Sequence, residues 1–191
     1  MATSKPGERK LQILQALASM LENPKGEKIT TAALATKISV SEAALYRHFA
    51  SKAQMFEGLI EFIETSVFGL INQITQQQEN GISQVQAITL MLLNFAERNP
   101  GMTRVLIGDV LVNEDERLQL RMNQFVDRIE MALKQALRQA VVQGDMQESE
   151  VSSRASLLSS FVVGRWHRFA KTGFKNLPGE QATAQIAQLL R

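Results

Sequence analysis

The sequence of 191 residues has no cysteine and only two histidines, His48 and His167, which stand far apart. Without cysteine, disulfides, thiolate catalysis and cysteine-ligated zinc are excluded. Neither histidine has a second histidine or a carboxylate at a helical metal-binding spacing, and the sequence has no glycine-rich phosphate loop. These absences argue against an enzyme, so we expect no catalytic residue, no metal and no cofactor.

Long apolar runs are also missing. No stretch approaches about 18 uninterrupted apolar residues, and the N-terminus lacks the apolar core of a signal peptide, so we expect a cytoplasmic protein. The net charge of +2 is small but unevenly distributed. Residues 1–60 carry eight Lys or Arg against five acids, a balance of +3, whereas residues 61–191 carry thirteen against fourteen, a balance of −1. The basic excess near the N-terminus favours contact with nucleic acid phosphates.

The most informative stretch runs from Ile29 to Lys52 and predicts two short helices. Thr30 precedes an apolar-periodic segment and can cap its free amides, and Ser41 repeats this pattern after a gap of only a few residues. Two helices so closely joined are typical of a helix-turn-helix, whose second helix enters the major groove. We therefore predict a DNA-binding unit.

The outer side of the second helix carries small, hydrogen-bonding and basic residues, which suit a major groove about 12 Å wide. We predict that the phosphates are contacted by Thr30, Thr31, Tyr46 and Lys52. We predict that base edges or adjacent backbone are faced by Ser41, Glu42, Ala43, Arg47 and His48.

Helical periodicity covers the rest of the chain, and no segment is typical of a strand. A leucine-marked helix precedes the motif and is predicted to end near Asn23-Pro24-Lys25-Gly26. After the motif, helices are predicted from Ser51 to the glutamine-rich segment before Gly81, and over 83–98, 102–106, 114–142, 148–172 and a final segment near 182–190. The predicted fold class is all-α, with a helix-turn-helix domain over 1–50 and a larger helical regulatory and dimerisation domain over 51–191.

Phe62 projects about 110 to 120° from the apolar stripe of the long helix that follows Ser51. Two interpretations remain open for it: a second layer of helices covers the ring, or the ring lines a groove for a partner. Met55 and Phe68 lie similarly off the stripe.

The helix predicted over 148–172 has apolar residues outside its main stripe, including Leu157 and Val163. A second copy packed there would cover them. We therefore predict a homodimer, with an interface formed by Leu157, Phe161, Val163, Gly164 and Trp166. Its two-fold symmetry would space the two recognition helices about 34 Å apart, one turn of a palindromic DNA site.

The pattern Leu34-Ala-x-x-x-Ser39-Val-Ser-x-x-x-Leu45-Tyr-Arg-His-Phe-x-Ser-Lys52 resembles the DNA-binding unit of the TetR family of regulators. This resemblance implies a homodimer of chains with about nine helices. One departure is Ser39, which stands where the family usually has a turn glycine in a left-handed conformation.

Further segments, over 40–49, 55–64, 95–104 and 168–175, resemble the nucleoid occlusion factors within that family. The resemblance implies a nucleoid-associated dimer that spreads on palindromic chromosomal DNA and inhibits cell division by capturing the C-terminal tail of FtsZ. Phe62, Arg98 and Asn99 would then line the partner groove. Leu70 departs from a commonly basic position and removes one partner for an acidic tail. The alternative is a ligand-responsive repressor with a small-molecule pocket in the larger domain.

Overall fold

A computed structural model describes residues 6–23 and 29–191. Within these ranges every regular element is a helix, which confirms the predicted all-α class. The nine helices are α1 (Pro6–Leu21), α2 (Thr31–Lys37), α3 (Glu42–Tyr46), α4 (Lys52–Gln77), α5 (Gly81–Arg98), α6 (Pro100–Leu106), α7 (Glu116–Val142), α8 (Glu148–Lys171) and α9 (Ala182–Leu189). Residues 1–5 and the predicted helix stop at Pro24–Gly26 lie outside the described residues.

Side-chain caps explain where several helices begin. The hydroxyl of Thr30 accepts a hydrogen bond from the amide of Ala33 at 3.1 Å, and that of Ser41 accepts one from Ala44 at 3.2 Å. Ser51 caps α4 in the same way, with the amide of Gln54 at 3.1 Å. The predicted starts of these three helices are confirmed because each cap satisfies a backbone N–H that the first turn leaves free.

Helices α1 to α3 form a small N-terminal unit, called the head below, around apolar residues that face one another. Its buried side chains are Ile13, Leu17, Leu21, Leu34, Leu45 and Phe49. The second helix of the motif, α3, ends at Tyr46, shorter than the apolar spacing of Leu45 and Phe49 indicates. Arg47 and His48 consequently lie in the turn that follows α3, and not on it.

Helices α4 to α9 form the larger part, called the body below. Its core contains Phe56, Leu92, Phe125, Leu133 and Trp166, each at most 1% exposed. The indole N–H of Trp166 donates to the carbonyl of Leu92 at 3.1 Å and joins α8 to α5. Trp166 therefore belongs to the core of its own chain, and its prediction as a dimer contact is corrected because no surface of it remains for a partner.

The head packs on the body where α1 meets α6. A Cβ added at Gly101 of α6 would lie 1.9 Å from the carbonyl oxygen of Ala18 in α1, so only glycine permits this approach. Arg104 of α6 also donates to the carbonyl of Asn23, at 3.2 Å. The predicted domain boundary at residue 50 lies in the turn before α4, and that division stays a prediction. No helix in the described part of the chain is long and apolar enough to cross a membrane.

Candidate nucleic-acid interface and partner groove

Three predicted DNA contacts form one cluster that joins α2 to α3. The hydroxyl of Thr31 donates to the carboxylate of Glu42 at 2.6 Å, and the phenol of Tyr46 lies 3.5 Å from the Thr31 oxygen. Glu42 and Tyr46 are exposed, the latter by 45%. The cluster fixes the angle between the two helices and presents its polar atoms to solvent on one side of the head.

Thr30 and Ser41 are exposed and begin α2 and α3. Each hydroxyl oxygen accepts a capping bond, so its own O–H remains able to donate to a phosphate. The positive end of a helix dipole lies at each of these sites and favours an anion. Their predicted roles as phosphate or backbone contacts suit these positions and stay predictions.

The remaining predicted contacts surround the short helix α3. Ala43 and Arg47 are exposed, whereas His48 is half-buried in the turn after the helix. The amide of His48 donates to the carbonyl of Leu45 at 2.9 Å, which continues the last turn. Arg47 is thus an exposed cation of the motif, and the base-reading roles of all three residues stay predictions.

Lys52 differs from the other predicted phosphate contacts because it is a cation, and its charge already has an anionic partner. Its ammonium forms an ion pair with the carboxylate of Glu114, which precedes α7. The two side chains are 25% and 15% exposed. The head end of α4 is therefore tied to the body through a residue 62 positions away.

The two flanks of α4 have different surroundings. Helix α7 covers one flank, where the rings of Phe68 and Phe125 meet at 5.4 Å and Arg128 lies 3.8 Å above Phe68. Glu64 on the same flank accepts two hydrogen bonds from Arg121, at 2.7 and 3.1 Å. The bond to Glu64 is the main reason why the pKa of Arg121 is raised, and the charges of Glu64 and its acidic neighbours add to this effect.

Phe62 lies on the opposite flank of α4 and is 41% exposed. Met55, which projects in a similar direction from the stripe, is only 1% exposed. Leu70, two turns beyond Phe62, is 39% exposed. The second layer of helices therefore covers Met55 and leaves an apolar surface at Phe62 and Leu70.

Helix α5 provides the other side of this surface. The carbonyl of Leu92 and the carboxylate of Glu97 face α8 and the segment before α9, where they accept from Trp166 and from the amide of Gly179. Met91 and Phe95 of α5 are half-buried and pack against the hydrophobic core. A groove for a partner between α4 and α5 stays a prediction.

Arg98 and Asn99 stand at the end of α5, at the level of Phe62. Phe62 is 15 residues before the last residue of α4 and Arg98 is 17 after the first residue of α5, or about 23 and 26 Å from the turn between these antiparallel helices. Arg98 is exposed, and the side-chain amide of Asn99 donates to the carbonyl of Phe95 at 2.8 Å. The fold thus brings the three predicted groove residues to the same end of one helical pair.

The predicted dimer surface lies on α8. Leu157 is 50% exposed, Phe161 and Val163 are half-buried, and a Cβ added at Gly164 would meet no atom within 4 Å. Without Trp166, Leu157, Phe161 and Gly164 lie within about 60° of one another and leave an apolar strip along the outer side of the helix, whereas Val163 projects from the other flank. The strip suits another copy of the chain, and the dimer interface stays a prediction.

Two of the cavities in the described part of the chain lie near its surface. One cavity of about 230 Å³ lies between head and body, beside Phe56 and Arg104. The other, of about 240 Å³, lies beside Arg165 and Leu177. Neither lies inside the core, and the described residues contain no group of three acidic or histidine side chains arranged to hold a metal.

A short helix-turn-helix joined through a long fourth helix to an all-helical body defines the TetR class of regulators. Residues 26–59 match the family of bacterial regulatory proteins named tetR, and residues 79–191 match the SlmA-like family described as tetracyclin repressor-like, C-terminal domain. A TetR transcription regulator from Haloarcula marismortui shares the fold with a TM-score of 0.82 at 14% identity, over 96% of this chain and 97% of that one.

Closer relatives are similar in sequence along nearly the whole chain. The nucleoid occlusion factor SlmA of Marinomonas sp. (strain MWYL1) is 50% identical over 93% of this chain and 91% of its own length. The SlmA of Alteromonas mediterranea is 46% identical over 98% of this chain and 96% of its own. The chain therefore belongs to the SlmA family of nucleoid occlusion factors, within the TetR class.

Two features of the site have no local signal in the sequence. Glu114 is far from Lys52 along the chain, and its acidic neighbours indicate only a helix start. Leu70 falls on the apolar stripe of α4, so the sequence gives no signal that it is exposed.

Proposed function

We propose that this protein is a sequence-specific DNA-binding homodimer that acts as a nucleoid occlusion factor. It binds palindromic chromosomal sites through the head and inhibits cell division by holding the C-terminal tail of FtsZ. Membership of the SlmA family supports this proposal most strongly, since relatives so named match more than nine tenths of the chain. The proposal places the protein on the nucleoid.

The observation in the structure that carries the FtsZ proposal is the exposure of Phe62. A large aromatic ring that is 41% exposed is not part of the protomer's own core. An extended peptide could bury such a ring in the groove between α4 and α5, and aromatic anchors with a nearby arginine are typical of strong binding sites. Arg98 at the end of the groove supplies a partner for an acidic side chain of the tail.

Leu70 changes the chemistry expected further along this groove. With leucine in place of a cation, the tail has no ion pair to form there and instead meets an apolar surface. We expect apolar side chains of the tail to lie against Leu70 and Phe62, and acidic side chains to lie near Arg98. Binding of the tail should therefore depend on salt only weakly.

The alternative, a repressor that responds to a small ligand, finds less support. A ligand site in the body needs an interior cavity of about 300 to 1,000 Å³. The middle of the body is instead occupied by side chains such as Phe125 and Trp166, which have no exposure. The two cavities of about 230 and 240 Å³ lie at the surface.

The groove is tested with a fluorescent peptide of the FtsZ C-terminal tail and fluorescence anisotropy. We expect Phe62→Ala and Arg98→Asp each to weaken binding of the tail by about tenfold or more, because each removes an anchor. Met131→Ala is the matched control: Met131 is 61% exposed but lies on the outer side of α7. Binding of the variants to DNA should not change, and loss of DNA binding together with tail binding would mean that Phe62 or Arg98 is structural.

A further inference from the structure

We propose that Glu114 competes with DNA phosphate for the ammonium of Lys52, so that a residue of the body sets the DNA affinity of the head. This inference rests on the proposed function because it requires the head to bind DNA. Its basis is the ion pair between Glu114, which precedes α7, and Lys52, the first residue of α4, at the end of the body that adjoins the head.

The position of Lys52 makes it suitable for a phosphate contact. It is the first residue of α4, directly after the capping residue Ser51, and its ammonium lies 5.7 Å from the centre of the Phe56 ring. An anion near this site would also meet the positive end of the dipole of a 26-residue helix. Lys52 and the start of α4 therefore form one cationic site at the edge of the head.

Glu114 is held in place by the body. Its amide donates to the carbonyl of Leu111 at 2.9 Å, and Asp115, the next residue, caps α7. The carboxylate is only 15% exposed, so it faces Lys52 and has little contact with water. The body thus presents a fixed negative charge to the cationic site.

The neighbouring charges have partners of their own. The guanidinium of Arg117 lies 3.0 Å from Glu57 and 3.3 Å from Asp115, and Arg104 lies 3.5 Å from Asp109. The only cation within ion-pair distance of Glu114 in the described part of the chain is that of Lys52. A phosphate that takes this ammonium leaves Glu114 without its partner and places two negative charges near each other.

Binding of DNA must therefore break the Lys52–Glu114 ion pair or bring the phosphate close to a carboxylate. Either event weakens binding, since a partly exposed ion pair and the repulsion of like charges both oppose it. Removing the charge of Glu114 should make the protein bind DNA more tightly. The gain should depend on Lys52, because it arises from the freed ammonium.

The test uses a fluorescein-labelled duplex of arbitrary sequence and about 30 base pairs, because phosphate contacts do not depend on sequence. Fluorescence anisotropy gives the dissociation constant of full-length protein at several salt concentrations. We expect Glu114→Gln to bind about three- to tenfold more tightly than the unmodified protein at the lowest salt. Lys52→Ala should bind more weakly and reduce the salt slope by about one unit.

Two controls separate this inference from a general effect of charge. Glu116→Gln removes the same charge from an exposed residue two positions away, and we expect less than about a twofold change from it. In the Lys52→Ala background, Glu114→Gln should also change binding by less than about twofold, since coupled residues are not additive. Urea unfolding of each variant verifies that it is folded. Glu114→Ala removes the same charge and replaces Glu114→Gln if that variant does not fold.

Three results would overturn the inference: an unchanged or weaker affinity of Glu114→Gln, an equal gain in Glu116→Gln, or a gain that persists without Lys52. Weaker binding would mean that Glu114 positions Lys52 for the phosphate. Failure of the unmodified protein to bind any duplex would instead contradict the proposed DNA-binding function. This result is distinguishable from failure of the inference about Glu114, because it requires no variant.

Discussion

Ser39 has a backbone φ of +55° in the turn between α2 and α3. A side chain in this left-handed conformation meets the neighbouring carbonyl oxygen, which costs roughly 1 kcal/mol, and glycine avoids this contact. The resemblance to the TetR family implies this conformation, because the family usually has a left-handed turn glycine at this position. The structure confirms that serine adopts it.

At this position we expect opposite effects from two substitutions. Ser39→Gly should raise the free energy of unfolding by about 0.5 to 1 kcal/mol, because the strain is removed. Ser39→Val should lower it by about 1 to 2 kcal/mol, because a β-branched side chain is a poor fit to this conformation. Urea unfolding measures both changes. A stabilising valine or a destabilising glycine would contradict the account of the turn.

The roles of other residues depend on contacts that no local pattern predicts. The sequence indicates a phosphate contact at Lys52, but its ion pair with Glu114 joins positions 62 apart. Trp166 falls on the apolar stripe of its helix beside the predicted dimer contacts, yet its indole bonds to Leu92 in the same chain. In both cases the missing information is the packing of distant helices.

Helix α4 has some features that the periodicity of its sequence predicts and one that it does not. The stripe of buried residues and the start at Ser51 agree with the prediction because both follow from local rules of helix geometry and capping. The exposure of Phe62 depends on where α7 lies, and α7 is distant in sequence. Periodicity therefore gives the direction of Phe62 but not whether another helix covers it.

The apolar pattern of α8 is likewise insufficient to predict a partner. Its outer apolar strip identifies a surface but not the molecule that covers it. We expect Leu157→Asp to raise the dimer dissociation constant by at least about 100-fold, because two-fold symmetry buries two aspartates in an apolar interface. Analytical ultracentrifugation measures this change.

Leu120→Asp is the matched control for this measurement. Leu120 on α7 is 53% exposed, close to the 50% of Leu157, but it lies outside the proposed interface. This variant should remain a dimer. If the unmodified protein is a monomer at micromolar concentration, or if both variants dissociate alike, the proposed surface on α8 is wrong.

At the scale of the whole molecule, the two functional surfaces lie on different parts of one chain. The head carries the capped helices and Arg47, and the body carries the groove at Phe62 and the apolar strip on α8. Helix α4 connects them, since its first residue reaches the head and its middle forms the groove. Under the proposed function, this arrangement would let a single dimer hold DNA and a peptide of FtsZ at the same time.

The central claim is that the protein inhibits the assembly of FtsZ when it is bound to DNA. The most direct measurement is light scattering of purified FtsZ with GTP, in the presence of this protein with and without a duplex that contains a palindromic site selected by the protein. The account predicts that the DNA-bound protein reduces assembly and that Phe62→Ala restores it. Assembly unaffected by the DNA-bound protein would contradict the account and favour the ligand-responsive repressor.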